Sequence, residues 1–224
     1  MCGIAGILRF DDAPVAPSLI GGMLEKLAHR GRDHAAVESG FPGGGGGRLS
    51  ARASIALGHR RLSIIDLSGT ASQPMAYDGG NLWLVFNGEI YNYIELRNEL
   101  RARGHHFETA SDTEVILRLY EEYGPECIGR LNGMFALVLY DRQHEQVLLA
   151  RDHFGVKPLY LHATPERLLF ASANREARAW IRQDILENPA VYPPAGLIPR
   201  MEWMGDVGKA MRIYDRAWTE LKMQ

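Results

Sequence analysis

The 224-residue sequence predicts an α+β fold, with antiparallel sheet over residues 1–172 and a short helical tail over 173–224 that is no independent domain. Three observations carry this. Two pairs of apolar runs are joined by short polar connections, 141–146 and 164–166, and such hairpins imply antiparallel pairing. The two strongest helical patterns fall between strands and do not follow every strand, which disfavours a doubly wound parallel sheet. After Ser172 the texture changes to a proline-interrupted stretch, too short for a sizeable core of its own.

Taken in order, Cys2 to Phe10 reads as a strand in which Gly3 and Gly6 let neighbouring groups approach closely. Ser18 is positioned to cap a helix whose apolar face is Ile20, Met23, Leu24 and Leu27, and the turn His29-Arg30-Gly31-Arg32-Asp33 stops it. Gly43 to Gly47 lacks the lysine and serine of a phosphate loop and reads as a surface loop. Ile55 to His59 is a short strand, continued as extended chain through Arg60 to Asp66. Leu82 to Phe86 is a buried strand running into a turn at Asn87-Gly88-Glu89. Asn92 with Glu95, and Ser111 with Glu114, are capping pairs for two helices. The first buries Tyr93, Leu96 and Leu100 and stops at Gly104. The second buries Val115, Ile116, Leu119, Tyr120 and Tyr123 and stops at Gly124-Pro125. Phe135–Tyr140 with Val147–Ala150, and Leu159–His162 with Leu168–Ala171, are the two hairpins.

Composition narrows the function. A net charge of −2 sets up no basic field, so no nucleic-acid partner is expected. No apolar run approaches the roughly 20 residues of a membrane span. Two cysteines, Cys2 and Cys127, make no disulfide framework, which suits a reducing cytosol and a cytoplasmic protein. The eight histidines show no metal-ligand spacing, so neither a metal nor a cofactor is expected. His105-His106 reads as exposed, and Cys127 as a buried apolar group.

The chemistry-bearing residue is Cys2. Removal of Met1 would give it a free amine beside its thiol, a nucleophile with a proton acceptor in one residue. Alone, it reads rather as the start of a buried strand. It is followed in order by His29-Arg30-Gly31, Gly58-His59-Arg60-Arg61-Leu62-Ser63-Ile64, Asn87-Gly88-Glu89-Ile90-Tyr91-Asn92, Ser111-Asp112-Thr113-Glu114-Val115 and Arg151-Asp152-His153-Phe154-Gly155. This series resembles the class II glutamine amidotransferases, the N-terminal-nucleophile glutaminase domains, and within them the asparagine synthetase branch, over about 170 residues.

The resemblance implies a four-layer αββα sandwich of two antiparallel sheets and hydrolysis of glutamine to glutamate and ammonia through a Cys2 thioester. It assigns the oxyanion donors to the Asn87 side chain and the Gly88 N–H, a glycine there allowing close approach to the substrate. Arg61 would clamp the substrate α-carboxylate and Asp112 its ammonium, with Glu89 beside them and the chain from Leu62 through Ile64 and Ile65 as pocket wall. Arg60 is then the solvated neighbour. The charges around Arg151-Asp152 read as turn and inter-layer contacts.

The sequence departs from the pattern in three places. Arg32 stands where the family has proline, Ser172-Ala173 replaces Ser-Glu, and no Ser-Gly-Gly-x-Asp-Ser pyrophosphate loop occurs. Asparagine synthesis by this chain alone is therefore not expected; a separate synthetase subunit could use the ammonia. Residues 173–224, with a helical pattern from Asp206, resemble the C-terminal end of polyamine-binding proteins. The expectation is a truncated amidotransferase joined to an unrelated tail, by gene rearrangement or assembly error. The competing expectation is a catalytically silent remnant serving as an interaction module.

Overall fold

The structure, a computed structural model, describes residues 2–11, 13–39, 55–62 and 71–172. Among them the order is β1 (Gly3–Arg9), α1 (Pro17–Lys26), β2 (His34–Ser39), β3 (Ile55–Arg61), β4 (Met75–Tyr77), β5 (Leu82–Ile90), α2 (Tyr93–Ala102), α3 (Asp112–Tyr123), β6 (Gly133–Asp141), β7 (Gln146–Arg151), β8 (Tyr160–Ala163) and β9 (Arg167–Ala171). One sheet runs β2-β3-β1-β9-β8 and the other β4-β5-β6-β7. All their pairings are antiparallel.

The period-two alternation of strands builds the layers. Ile4 and Leu8 of β1 share a core with Ile55 and Leu57 of β3, Val85 of β5 and Ala136, Val138 and Tyr140 of β6, so this core lies between the sheets. The intervening Ala5 and Ile7 pack under Ile20, Leu24 and Leu27 of α1. On the far face of the second sheet, Leu84, Phe86, Phe135, Leu137 and Leu139 meet Leu96 and Leu100 of α2 and Val115, Ile116 and Leu119 of α3. The layers are thus α, β, β, α. Each fully buried aliphatic or aromatic side chain contributes about 1.5–3 kcal/mol by leaving water. Gly6 is placed opposite Phe170, whose ring occupies the space a side chain would need: a Cβ there would lie 2.2 Å from Cζ.

Several local expectations are corrected. The cap of α1 is Ala16 with Pro17 in the first turn, not Ser18; the ring presets φ and its missing N–H is one the first turn leaves unbonded anyway. Asn87-Gly88-Glu89 is not a turn but the paired continuation of β5, opposite Ala136, Phe135 and Met134. An Asn-Gly pair favours turns locally, yet a partner strand with room only for glycine keeps it extended. Asn92 makes no side-chain cap; its amide accepts from the Asn132 N–H at 3.0 Å and donates to the Arg130 carbonyl at 3.0 Å. Ser111 does cap α3, accepting from the Thr113 N–H at 3.1 Å, but Glu114 binds the N–H groups of Glu108 and Thr109 instead of reaching back to Ser111.

β2 and β4 are strands the sequence pattern did not mark: β2 is a largely exposed edge and β4 only three residues long. His105 is half-buried, its ring between Glu121 at 3.2 Å and Glu122 at 2.9 Å, while His106 is exposed. Cys127 is fully buried, which pushes its thiol up to about 12. The glycine run 43–47 and the tail 173–224 lie outside the described residues. No helix among the described residues is long and apolar enough to cross a membrane.

Candidate active site

Among the described residues, the predicted Cys2, Arg61, Leu62, Asn87, Gly88, Glu89 and Asp112 lie at one end of the two sheets. Antiparallel pairing sets Gly3 against Arg60 and Ile4 against His59; the same register extended by one step would set Cys2 against Arg61. By alternation, Cys2, His59 and Arg61 share the inter-sheet face with Ile4 and Leu57. Asn87 and Glu89 occupy the matching face of β5, in line with Val85.

The Cys2 thiol is held by backbone. Its sulfur accepts from the Leu62 N–H at 3.3 Å and faces the Leu62 carbonyl at 3.5 Å. Leu62 thus lies beside Cys2, whereas Ile64 and Ile65 lie outside the described residues. Burial pushes the thiol pKa up, opposed by the Leu62 hydrogen bond and the positive charge of Arg61. The group is therefore a neutral thiol near pH 7 and needs a proton acceptor before it can attack. With Met1 in the sequence, the nitrogen of Cys2 is an amide and accepts no proton.

Gly31 explains how the preceding turn reaches the site. A Cβ at Gly31 would lie 2.4 Å from the Arg60 carbonyl group, so the turn closes directly on β3. Arg30 then donates to the Cys2 carbonyl over 3.4 Å. Arg61 is buried to 9% exposure. Arg60, expected to be solvated, is instead half-buried and donates to the Leu24 carbonyl at 3.0 Å, tying β3 to α1.

Two donors on β5 stand out. The side-chain nitrogen of Asn87 is buried, the residue being 1% exposed, and has no partner among the described residues. An unmade hydrogen bond at such a position costs about 1–3 kcal/mol. The second donor is the Gly88 N–H. Phe135 directs both its N–H and its carbonyl toward Asp152, so the Gly88–Phe135 pair is not hydrogen-bonded between β5 and β6. The Gly88 N–H therefore points to the opposite, open edge of β5, with those of Phe86 and Ile90. Gln73 takes the first of these and Asp112 the second, at 2.6 and 3.1 Å. Gly88 lies between them.

The packing of β6 by itself requires the glycine. A Cβ at Gly88 would meet the Met134 carbonyl oxygen at 2.2 Å and Phe135 Cα at 2.6 Å.

Asp112 begins α3 and is 4% exposed. Burial raises its carboxyl to about 6, helped by the negative charge of Glu89 and opposed by the Ile90 and Thr113 N–H groups. The site thus sets the Arg61 guanidinium and a carboxylate pair, Asp112 with Glu89, around the thiol and the two donors, with Arg30 on the Cys2 backbone, a charge pattern suited to an amino acid.

Two nearby groups were not singled out from the sequence. Lys157 is 5% exposed; burial pulls its ammonium pKa down, and Arg30, Asp152, Glu89 and the Cys2 thiol are its ionisable neighbours. It is delivered by a loop wound on Asp152, whose carboxylate accepts from the N–H groups of Phe135, Phe154, Val156 and Lys157. This is the structural role read for the Arg151-Asp152 run. A lysine two residues after Gly155 in an apolar context was the available signal. His59 is 1% exposed, and burial holds its imidazole pKa to about 3, so the ring is neutral. No group of three His, Cys, Asp or Glu among the described residues is placed to hold a metal.

The family described as "Glutamine amidotransferase domain" matches residues 1–189. The chain belongs to this family. An asparagine synthetase (glutamine-hydrolyzing) of Bacillus subtilis is 39% identical over 180 residues, covering 78% of this chain and 26% of that protein. Asparagine synthetase B of Escherichia coli is 37% identical over 193 residues, 85% of this chain and 32% of that protein. A rice asparagine synthetase is 33% identical over 219 residues, 97% of this chain and 33% of that protein. The chain thus spans about a quarter to a third of these relatives. The glutamine phosphoribosylpyrophosphate amidotransferase of B. subtilis superposes with a TM-score of 0.61 at 23% identity, covering 76% of this chain and 42% of that one, which shows the shared fold.

The amidotransferase match continues past Ser172, and the rice alignment takes in nearly the whole chain. The resemblance of residues 173–224 to polyamine-binding proteins is therefore not supported.

Proposed function

We propose that this amidotransferase domain hydrolyses glutamine to glutamate and ammonia, with Cys2 as nucleophile once Met1 is removed. The new terminal amine takes the thiol proton as sulfur attacks the side-chain amide carbon. The tetrahedral oxyanion is met by the Asn87 amide and the Gly88 N–H. Collapse of this intermediate breaks the C–N bond, and the amine returns the proton to the departing ammonia. Water then attacks the thioester through a second tetrahedral intermediate, releasing glutamate and regenerating the thiol. Arg61 pairs with the substrate carboxylate and Asp112, with Glu89, with its ammonium.

The observation that carries this reading is the buried, unpartnered Asn87 donor beside an N–H on an open strand edge. On this reading the donor is kept for a charge that develops only during reaction. Residues 1–172 form the hydrolytic unit on this reading, and aspartate activation would require a separate synthetase subunit.

The test is glutamate release from glutamine, without ATP, by N-terminally trimmed protein and by Cys2→Ala. Mass spectrometry of the terminus accompanies it. Activity that depends on Cys2 and on loss of Met1 supports the reading; equal rates for the two proteins overturn it.

A further inference from the structure

The Ala71–Met75 segment entered no functional motif, yet it reaches the reacting edge. If β4 continued by two residues, its register would set Gln73 opposite Phe86. The Gln73 side chain takes the place of the backbone carbonyl, accepting from the Phe86 N–H at 2.6 Å. Its amide nitrogen donates to Thr113 Oγ1, in the first turn of α3, at 3.2 Å. Gln73 is 7% exposed and Thr113 3%, so both bonds are shielded from water. Four residues along the same edge, Asp112 accepts from the Ile90 N–H. The first turn of α3 is therefore fastened to β5 at two points, through Gln73 on one side of Gly88 and Asp112 on the other.

We propose that Gln73 is a positioning residue for the oxyanion donor of Gly88, acting through Phe86 and Thr113. This rests on the glutaminase reading above. A strand edge pinned on both sides of Gly88 cannot tilt its N–H away from the position an oxyanion would occupy. Release of one pin frees that rotation, and displacement of a catalytic group by about 1 Å can cost ~10² in rate. Gln73 is not assigned to the glutamine recognition groups, Arg61, Glu89 and Asp112. Its effect therefore falls on the transition state and not on substrate capture.

The experiment compares trimmed wild type with Gln73→Met, which keeps side-chain length and removes both hydrogen bonds, and with Thr113→Val and Thr113→Ser. kcat and KM for glutamine are measured beside thermal unfolding, with kcat referred to the folded fraction. Gln73→Met is expected to lower kcat about 10- to 100-fold with KM within about twofold. Thr113→Val should show the same split to a smaller extent, and Thr113→Ser, which restores the hydroxyl, should recover it. If Gln73→Met does not fold, the Thr113 pair decides. Unchanged kcat per folded molecule, a rise in KM instead, or no difference between Thr113→Val and Thr113→Ser overturns the proposal. A wild type without Cys2-dependent activity overturns the glutaminase reading and this proposal with it; an active wild type with indifferent variants overturns this proposal alone.

Discussion

Replacing Asn87 by alanine separates folding from catalysis, because the two respond in opposite directions. The Asn87 side-chain nitrogen is buried without a partner, and the residue is 1% exposed. Deleting it relieves an unsatisfied donor worth about 1–3 kcal/mol. The truncation leaves a void of about 30 Å³, the share of one water. At about 24 cal/mol per Å³ this costs about 0.7 kcal/mol. The net change runs from near zero to about 2 kcal/mol of added stability. One kcal/mol moves Tm by about 2–4 °C in a domain of this size, so the melting point should hold or rise by several degrees. The same substitution removes an oxyanion donor and should lower kcat about 10²–10³-fold, or about 2.7–4 kcal/mol in the barrier. Differential scanning calorimetry and a glutamate-release assay on the same preparation read both quantities. A Tm that falls by several degrees, with kcat reduced only in proportion to unfolded protein, would show Asn87 to be a structural residue and refute the argument.

Three further outcomes follow from the same geometry. Asp112 titrates at about 6 in the fold against 3.8 for the ordinary group, so the folded state binds its proton more tightly. The penalty is absent below about pH 4, grows between pH 4 and 6, and is complete above, at roughly 3 kcal/mol for two units. Asp112→Asn should therefore raise urea stability at pH 7.5 and leave it unchanged at pH 3.5, while kcat/KM for glutamine in the parent should fall as pH drops below about 6. Gly6→Ala drives a methyl into the Phe170 ring and toward the Ala56 carbonyl, and should destabilise by about 1–3 kcal/mol in urea titration, with partial recovery in Gly6→Ala/Phe170→Leu. Iodoacetamide should label Cys2 and spare Cys127 in the native protein and label both in urea, as peptide mass spectrometry would show, because burial holds the Cys127 thiol at about 12.

Strand and helix identity was largely legible because it rests on alternation and helical spacing within short windows. β1, β6, β7 and the faces of α2 and α3 need no distant partner to be recognised. The ordered motifs around Cys2, Arg61, Asn87 and Asp112 likewise pointed to the amidotransferase family to which the chain belongs. Features set by distant contacts were hidden. Asn87-Gly88 carries the local signal of a turn, and only pairing with Ala136 and Phe135 makes it strand. That same pairing turns the Gly88 N–H to the open edge and explains why glycine is required there. Lys157 is remote in sequence from Cys2 and Glu89 yet buried beside them, and Gln73 bridges two elements that no local pattern connects. Cys2, where the chemistry was expected, was readable from its chemical type; its protonation state was not. Burial and the Leu62 backbone set that state, and both arise only when β3 is brought alongside β1.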